Sequence, residues 1–203
     1  MSCHQFFPRH CVFLAVILIP VLLPGCNRYN IHQAYRGYPA EKQISISILQ
    51  CYYEGNDRTS EQLQNGCNDF LYSLSNELSA SKRFRVTNPS DKNITYYTGN
   101  MYDEFHNQNI SIIEKLTENN DVDFALYGIT EVGPVGRKDK LCLNFINLED
   151  TTEKSFCTQS EYLITGSGSS YKLDSAKFSI VSSFMRNKAM TGMEDQFKSI
   201  LKK

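Results

Sequence analysis

Apolar and polar positions follow two periods along this chain, one of two residues and one of three to four, and they divide it into strands and helices. Ile44, Ile46 and Ile48 alternate with Ser45 and Ser47, which predicts a strand. Its run continues through Cys51-Tyr52-Tyr53 until Gly55-Asn56-Asp57 breaks it. Thr59 precedes Gln62 at capping-box spacing and predicts the start of a helix. Leu63, Cys67, Phe70, Leu71, Leu74 and Leu78 then recur at helical steps, one apolar face of a long helix that ends at Ser79-Ala80-Ser81-Lys82. Phe84-Arg85-Val86 reads as a short strand stopped by Asn88-Pro89.

The second half alternates less cleanly. Tyr102, Phe105, Ile112, Ile113 and Leu116 suggest a second helix ending at Asn119-Asn120, after a loop over residues 90–100. Phe124 to Ile129 reads as a buried strand, followed by a loop through Gly133-Pro134 and Gly136-Arg137-Lys138. Lys140–Asn147 and Lys154–Leu163 form the arms of a hairpin about Leu148-Glu149-Asp150-Thr151. Pairing positions whose numbers sum to 299 sets Cys142 opposite Cys157. Residues 177–189 are amphipathic and fit strand or helix. Thr191 with Glu194 has capping-box spacing, so the terminal helix is expected to open there, with Met193, Phe197, Ile200 and Leu201 inward. Lys198, Lys202 and Lys203 suit its negative end. The order predicts an α/β (α+β) fold: a single mixed sheet, helices packed mainly on one face, and a hairpin in the carboxyl-terminal half.

The amino terminus follows neither period. Val12–Leu23 is uninterrupted apolar sequence, preceded by Arg9 and by no acid. A run of about a dozen residues is short of the roughly 20 that span a bilayer, and Pro20 and Pro24 interrupt a helix. Positive start, apolar core and small residue are the pattern of an export signal. Leu22-Leu23-Pro24-Gly25-Cys26 resembles a bacterial lipobox. That resemblance implies cleavage after Gly25, a diacylglycerol thioether on the Cys26 thiol and acylation of the new amino terminus. Asn27 is not the Asp that retains many lipoproteins on the inner membrane, so the resemblance favours an outer-membrane anchor facing the periplasm. The expected organisation is a signal peptide over 1–25, a lipidated tether over 26–42 and one domain over 43–203.

Composition narrows the partners. The chain carries 21 Lys+Arg against 22 Asp+Glu, and only Arg9 of the basic residues lies in the signal. A nearly neutral body without a basic stripe does not point to nucleic acid. Four cysteines follow Cys26, and an even number in an exported chain invites disulfides. Cys142–Cys157 is the first candidate, because cross-strand partners approach to about 4.5 Å between Cα atoms. Cys51–Cys67 is the second.

Candidate chemistry is sparse. His32 and His106 are the only histidines after Cys26, and no Cys-x-x-Cys occurs, so no metal or cofactor site is expected. His106 is the one available base for a hydrolase and reads as a helix-surface residue beside Glu104, Phe105 and Asn107. Glu149 and Asp150 read as turn formers, Asp121 and Asp123 as caps or edge charges. Gly166-Ser167-Gly168-Ser169-Ser170 lacks the Gly-Lys-Ser/Thr ending of a phosphate loop. No enzyme is expected.

Two stretches carry a resemblance. Leu74 to Val86 (LSNELSASKRFRV) is similar to the "L…L…S-x-R-F-x-V" stretch of envelope proteins related to the TolB amino-terminal domain and the curli-secretion lipoprotein CsgG. Asn120 to Thr130 (NDVDFALYGIT) is similar to their "A-D-Y-x-L-x-G-x-I" strand. Penicillin-binding-protein activator lipoproteins and flagellar or exopolysaccharide accessory lipoproteins share the outline. No counterpart of the curli pore's membrane-spanning hairpins is present. The resemblance implies a periplasmic assembly or scaffold subunit of an envelope machine, with envelope protein partners or copies of itself. The alternative it implies is a regulator docking on an envelope enzyme such as a peptidoglycan synthase.

Overall fold

The computed structural model describes residues 29–39, 41–54, 58–87, 122–133, 138–166 and 171–203, with the backbone alone at 54 and 58–60. Gly25, Cys26, the expected helix over 102–116 and His106 lie outside the described residues. A short helix α1 (Ile31–Ala34) precedes β1 (Ile44–Ile48), β2 (Tyr52–Glu54) and the long helix α2 (Arg58–Ala80). There follow β3 (Phe84–Thr87), β4 (Phe124–Glu131), β5 (Asp139–Asn147), β6 (Glu153–Ser160), β7 (Ile164–Thr165), β8 (Lys172–Leu173) and α3 (Ser175–Lys202).

The strands make a mixed six-stranded sheet in the order β3-β1-β4-β5-β6, with β2 also on β4; β7 and β8 form a separate two-stranded ladder. β1 runs parallel to β3 and to β4, whereas β4, β5 and β6 are antiparallel. The hairpin register is the expected one, Cys142 facing Cys157 and Leu143 facing Phe156. All five residues of β1 are buried, although their alternation resembles a half-exposed strand. Flanked by β3 on one side and β4 on the other, β1 has no open edge.

Helices α2 and α3 pack on one face of the sheet. Leu63, Leu71, Leu74 and Leu78 of α2 join Phe178, Met185, Met193 and Phe197 of α3 over Ile44, Ile46, Phe124, Leu126, Leu143 and Phe145. Phe197 is the centre, with its ring edge-on to Phe84, Phe124 and Phe145 at 5.4, 5.2 and 5.9 Å. Aromatic pairs of this geometry add about 0.5–1.5 kcal/mol each beyond area burial. Leu49, Tyr52, Ala125, Tyr127 and Leu148 form a smaller cluster on the opposite face.

Two expectations about helices are corrected. Helix α2 begins at Arg58, so Thr59 lies in its first turn rather than before it. The terminal helix does not open at Thr191. It is one helix from Ser175, capped by the Asp174 carboxylate, which accepts from the Lys177 amide at 3.0 Å. Ile180, Val181 and three serines have modest helix propensity, which hides the pattern locally. Burial of Phe178, Met185 and Ala189 outweighs that deficit, since propensity differences are only tenths of a kcal/mol per residue.

The strand expected to run from Ile44 through Tyr53 is broken. Ile48 pairs with Leu126 and Tyr52 with Ile129, so four steps on this chain match three on β4. The extra residue is a bulge that reverses the side-chain parity. Cys51 thereby joins the helix-facing core with Ile44, Ile46 and Ile48 instead of pointing away from it. Its backbone groups find partners on α2: the amide donates to Asn68 Oδ1 and the carbonyl accepts from Gln64 Nε2, each at 2.8 Å.

Candidate functional site: the docked amino-terminal segment

Residues 29–39 of the expected tether are folded onto the body, with the buried Tyr35 among them. Asn30 caps α1, its side chain accepting from the Gln33 amide at 3.1 Å. One turn of helix cannot hold itself together, and what holds this one is tertiary: Ile31 and Tyr35 are buried in the main core. The Tyr35 ring meets Phe84 edge-on at 5.7 Å, and the Pro39 carbonyl accepts from Arg83 Nη1 at 2.7 Å.

The upstream end of the segment is pinned to the two long helices. The Tyr29 amide donates to Asn187 Oδ1 at 3.0 Å and its carbonyl accepts from Arg186 Nη2 at 3.4 Å. The Tyr29 hydroxyl donates to that of Tyr35 at 3.2 Å. Arg186 is only 5% exposed, and a guanidinium at that depth needs charge and acceptors around it. Glu77 of α2 supplies the charge through an ion pair, and Asn187 Oδ1 and the Tyr29 carbonyl supply acceptors. Tyr29, Asn30, Ile31, His32, Glu77 and Ser81 line a recess of about 210 Å³ between the segment and the end of α2.

Burial pushes the Tyr29 phenol up to about 12, with the nearby Glu194 carboxylate adding to the effect. Burial drives Tyr35 well above the ordinary phenol range. Both hydroxyls are held neutral, as hydrogen-bonding groups and not as bases. The arrangement holds the amino-terminal segment against α2 and α3.

Both expected cysteine pairs are joined. Cys142 and Cys157 bond across the hairpin at a Cα separation of 4.1 Å, and Cys51 bonds to Cys67 at 6.0 Å. The second bond lies directly over Gly128. A Cβ there would meet the two sulfurs at 2.3 and 2.4 Å, so the position requires glycine. Asp123, read as a cap or edge charge, binds the Ser45 amide at 2.6 Å and aligns β1 with β4. His32 lies exposed on α1. Among the described residues no group of three or more His, Cys, Asp or Glu could hold a metal ion, and no helix is long and apolar enough to cross a membrane.

Glu77, Arg186 and Asn187 escaped the sequence reading. A usable signal existed: Arg186 stands four residues after Ser182 and eight after Phe178, a charge placed on the buried stripe of a helix. It becomes visible only once residues 177–189 are taken as helical. Asp139 escaped as well. It is 4% exposed and accepts from the amides of Gly133, Leu163 and Ile164, fastening the β4–β5 loop to the start of β7.

No family profile and no curated relative matches this sequence. Among solved structures it is similar to a PelC dodecamer variant from Paraburkholderia phytofirmans, with 11% identity over 77% of this chain and 93% of that one, at a TM-score of 0.38. It is also similar to the lipoprotein GNA1162 from Neisseria meningitidis, with 18% identity over 74% of this chain and 97% of that one, at a TM-score of 0.37. The LpoB carboxyl-terminal domain from Salmonella enterica matches at 12% identity over 59% of this chain and 85% of that one, at a TM-score of 0.30. Likeness at this level is one of outline, and neither a family nor an activity follows from it.

Proposed function

We propose that this chain is a lipid-anchored protein of the bacterial envelope, exported by residues 1–25 and acylated on Cys26, which acts as a non-catalytic assembly or scaffold subunit. The observation that carries the reading is the docking of Tyr29. The residue three places after Cys26 is hydrogen-bonded to both Arg186 and Asn187 of α3, so anchor and body form one unit. Two disulfides suit an oxidising compartment. The stretches at Leu74–Val86 and Asn120–Thr130 resemble envelope proteins that assemble rather than catalyse.

The same observation weighs against the regulator alternative. A free tether of sixteen residues would reach about 55 Å, whereas three residues from Cys26 to Tyr29 reach about 10 Å. A body held that close to its own membrane meets partners at that membrane.

Globomycin treatment should leave an uncleaved precursor, and a Cys26→Ser protein that still fractionates with membranes would refute the anchor. Crosslinking of the acylated protein in intact cells should recover copies of itself or a multiprotein assembly. Recovery of a single peptidoglycan synthase would favour the regulator instead.

A further inference from the structure

We propose that the outward face of α3 around Ile180 and Phe184 docks on an anionic phospholipid surface, so that the body lies flat beside its own anchor. The proposal rests on acylation of Cys26. Ile180 is 72% exposed and Phe184 62%, an unusual pair on a helix whose other large apolar residues are buried or partly buried. They stand four residues apart, and Asn187 stands three beyond Phe184, so all three share one stripe of the helix. Asn187 is the residue that holds the Tyr29 amide.

The distances close. Ile180 to Asn187 spans about 10 Å along the helix at about 1.5 Å per residue. The chain from Tyr29 back to Cys26 reaches about 10 Å. Acyl chains on Cys26 therefore enter the bilayer within about 15 Å of Phe184 and about 20 Å of Ile180.

Charge selects the kind of surface. From Ser175 to Met193, α3 contains Lys177, Arg186 and Lys188 and no Asp or Glu. Lys177 and Lys188 bracket the exposed pair, one turn before Ile180 and one turn after Phe184, and both are exposed. Lys177 stands 3.7 Å from the capping Asp174, and Lys188 donates to the Cys157 carbonyl at 3.2 Å. The Lys177 ammonium also lies 6.0 Å from the ring centre of Tyr162, itself 58% exposed. Apolar side chains flanked by lysines, with an aromatic ring at the border, fit the headgroup boundary of an acidic membrane. Lysine stems lie along apolar surface while the ammonium reaches lipid phosphates.

The chain contains no tryptophan, so a single Phe184→Trp substitution in the full acylated protein reports on this face alone. The protein is reconstituted into phosphatidylethanolamine/phosphatidylglycerol vesicles whose acyl chains are brominated. Emission from Phe184→Trp should shift to the blue and lose most of its intensity, while Ser155→Trp, on the other face of the sheet, keeps both. Adding Lys177→Glu and Lys188→Glu should weaken the quenching severalfold. Mass spectrometry of the same sample reports acylation. If the acyl mass is absent, the anchor and this proposal fall together. If the protein is acylated and vesicle-bound but Phe184→Trp stays unquenched, the docking face is overturned and the anchor stands. A blue shift without quenching would mean that protein, such as a second copy, covers the face, and would also overturn it.

Discussion

Tyr29 and Asn187 lie 158 positions apart in the chain and are joined by a 3.0 Å hydrogen bond from the Tyr29 amide to the Asn187 side-chain oxygen. The bond ties the first described residue after Cys26 to the middle of the longest helix. It converts what reads as a linker into part of the domain. Asn187 serves two partners with one oxygen, since Arg186 Nη1 donates to it as well at 3.0 Å.

Asn187→Ala therefore removes both bonds at once. The expected cost is about 1.5–3 kcal/mol, as for hydrogen bonds that include a charged donor. The more telling readout is local: limited proteolysis should cut within residues 29–42 much faster in the variant, with the disulfide-bonded body intact. Equal cutting rates would show that burial of Ile31 and Tyr35 alone holds the segment.

Gly128→Ala should destabilise by about 1–3 kcal/mol or more, the usual cost of overpacking a core, because the added methyl collides with both sulfurs of Cys51–Cys67. Combined with Cys51→Ala and Cys67→Ala, the substitution should cost far less, since the clashing atoms are gone. Denaturant titration of the three proteins checks this. An undiminished penalty in the triple variant would mean that the collision is with something else. Non-reducing mass spectrometry of the wild type should count no free thiol among Cys51, Cys67, Cys142 and Cys157.

Stability should fall in strongly alkaline solution. The phenols of Tyr29 and Tyr127 are both pushed up to about 12 from 10.0, in each case first by burial; Tyr127 also donates to Glu153 at 2.5 Å. A raised folded-state value means that the folded form keeps protons the unfolded form has lost. The contribution is complete below about pH 10 and disappears as pH rises through about 12. Unfolding free energy measured at stepped pH should decline over that window, and phenolate absorbance should appear late. Tyr127→Phe should flatten part of the decline; an unchanged slope would assign it to other groups.

Much of this architecture was legible from short-range pattern. The alternation at Ile44–Ile48 and the helical steps from Leu63 to Leu78 are local periods, and each appears as an element near its expected place. The hairpin register followed from the lengths of two arms about one turn, which is why Cys142 and Cys157 could be paired by counting.

The rest was settled by contacts between distant residues. One extra residue between Ile48 and Tyr52 decides which way Cys51 points, and it is tolerated because Gln64 and Asn68 of α2 receive the displaced backbone groups. A weak helix former such as Ile180-Val181 is carried into α3 by the burial of Phe178 and Met185 on either side. The segment at Tyr29 has too few residues to fold alone and becomes ordered only against Phe84, Arg186 and Asn187. Periodicity measures which face of an element is apolar; it does not measure what that face will meet. The candidate site lies where three separate elements converge, which is why its geometry was not readable from any one of them.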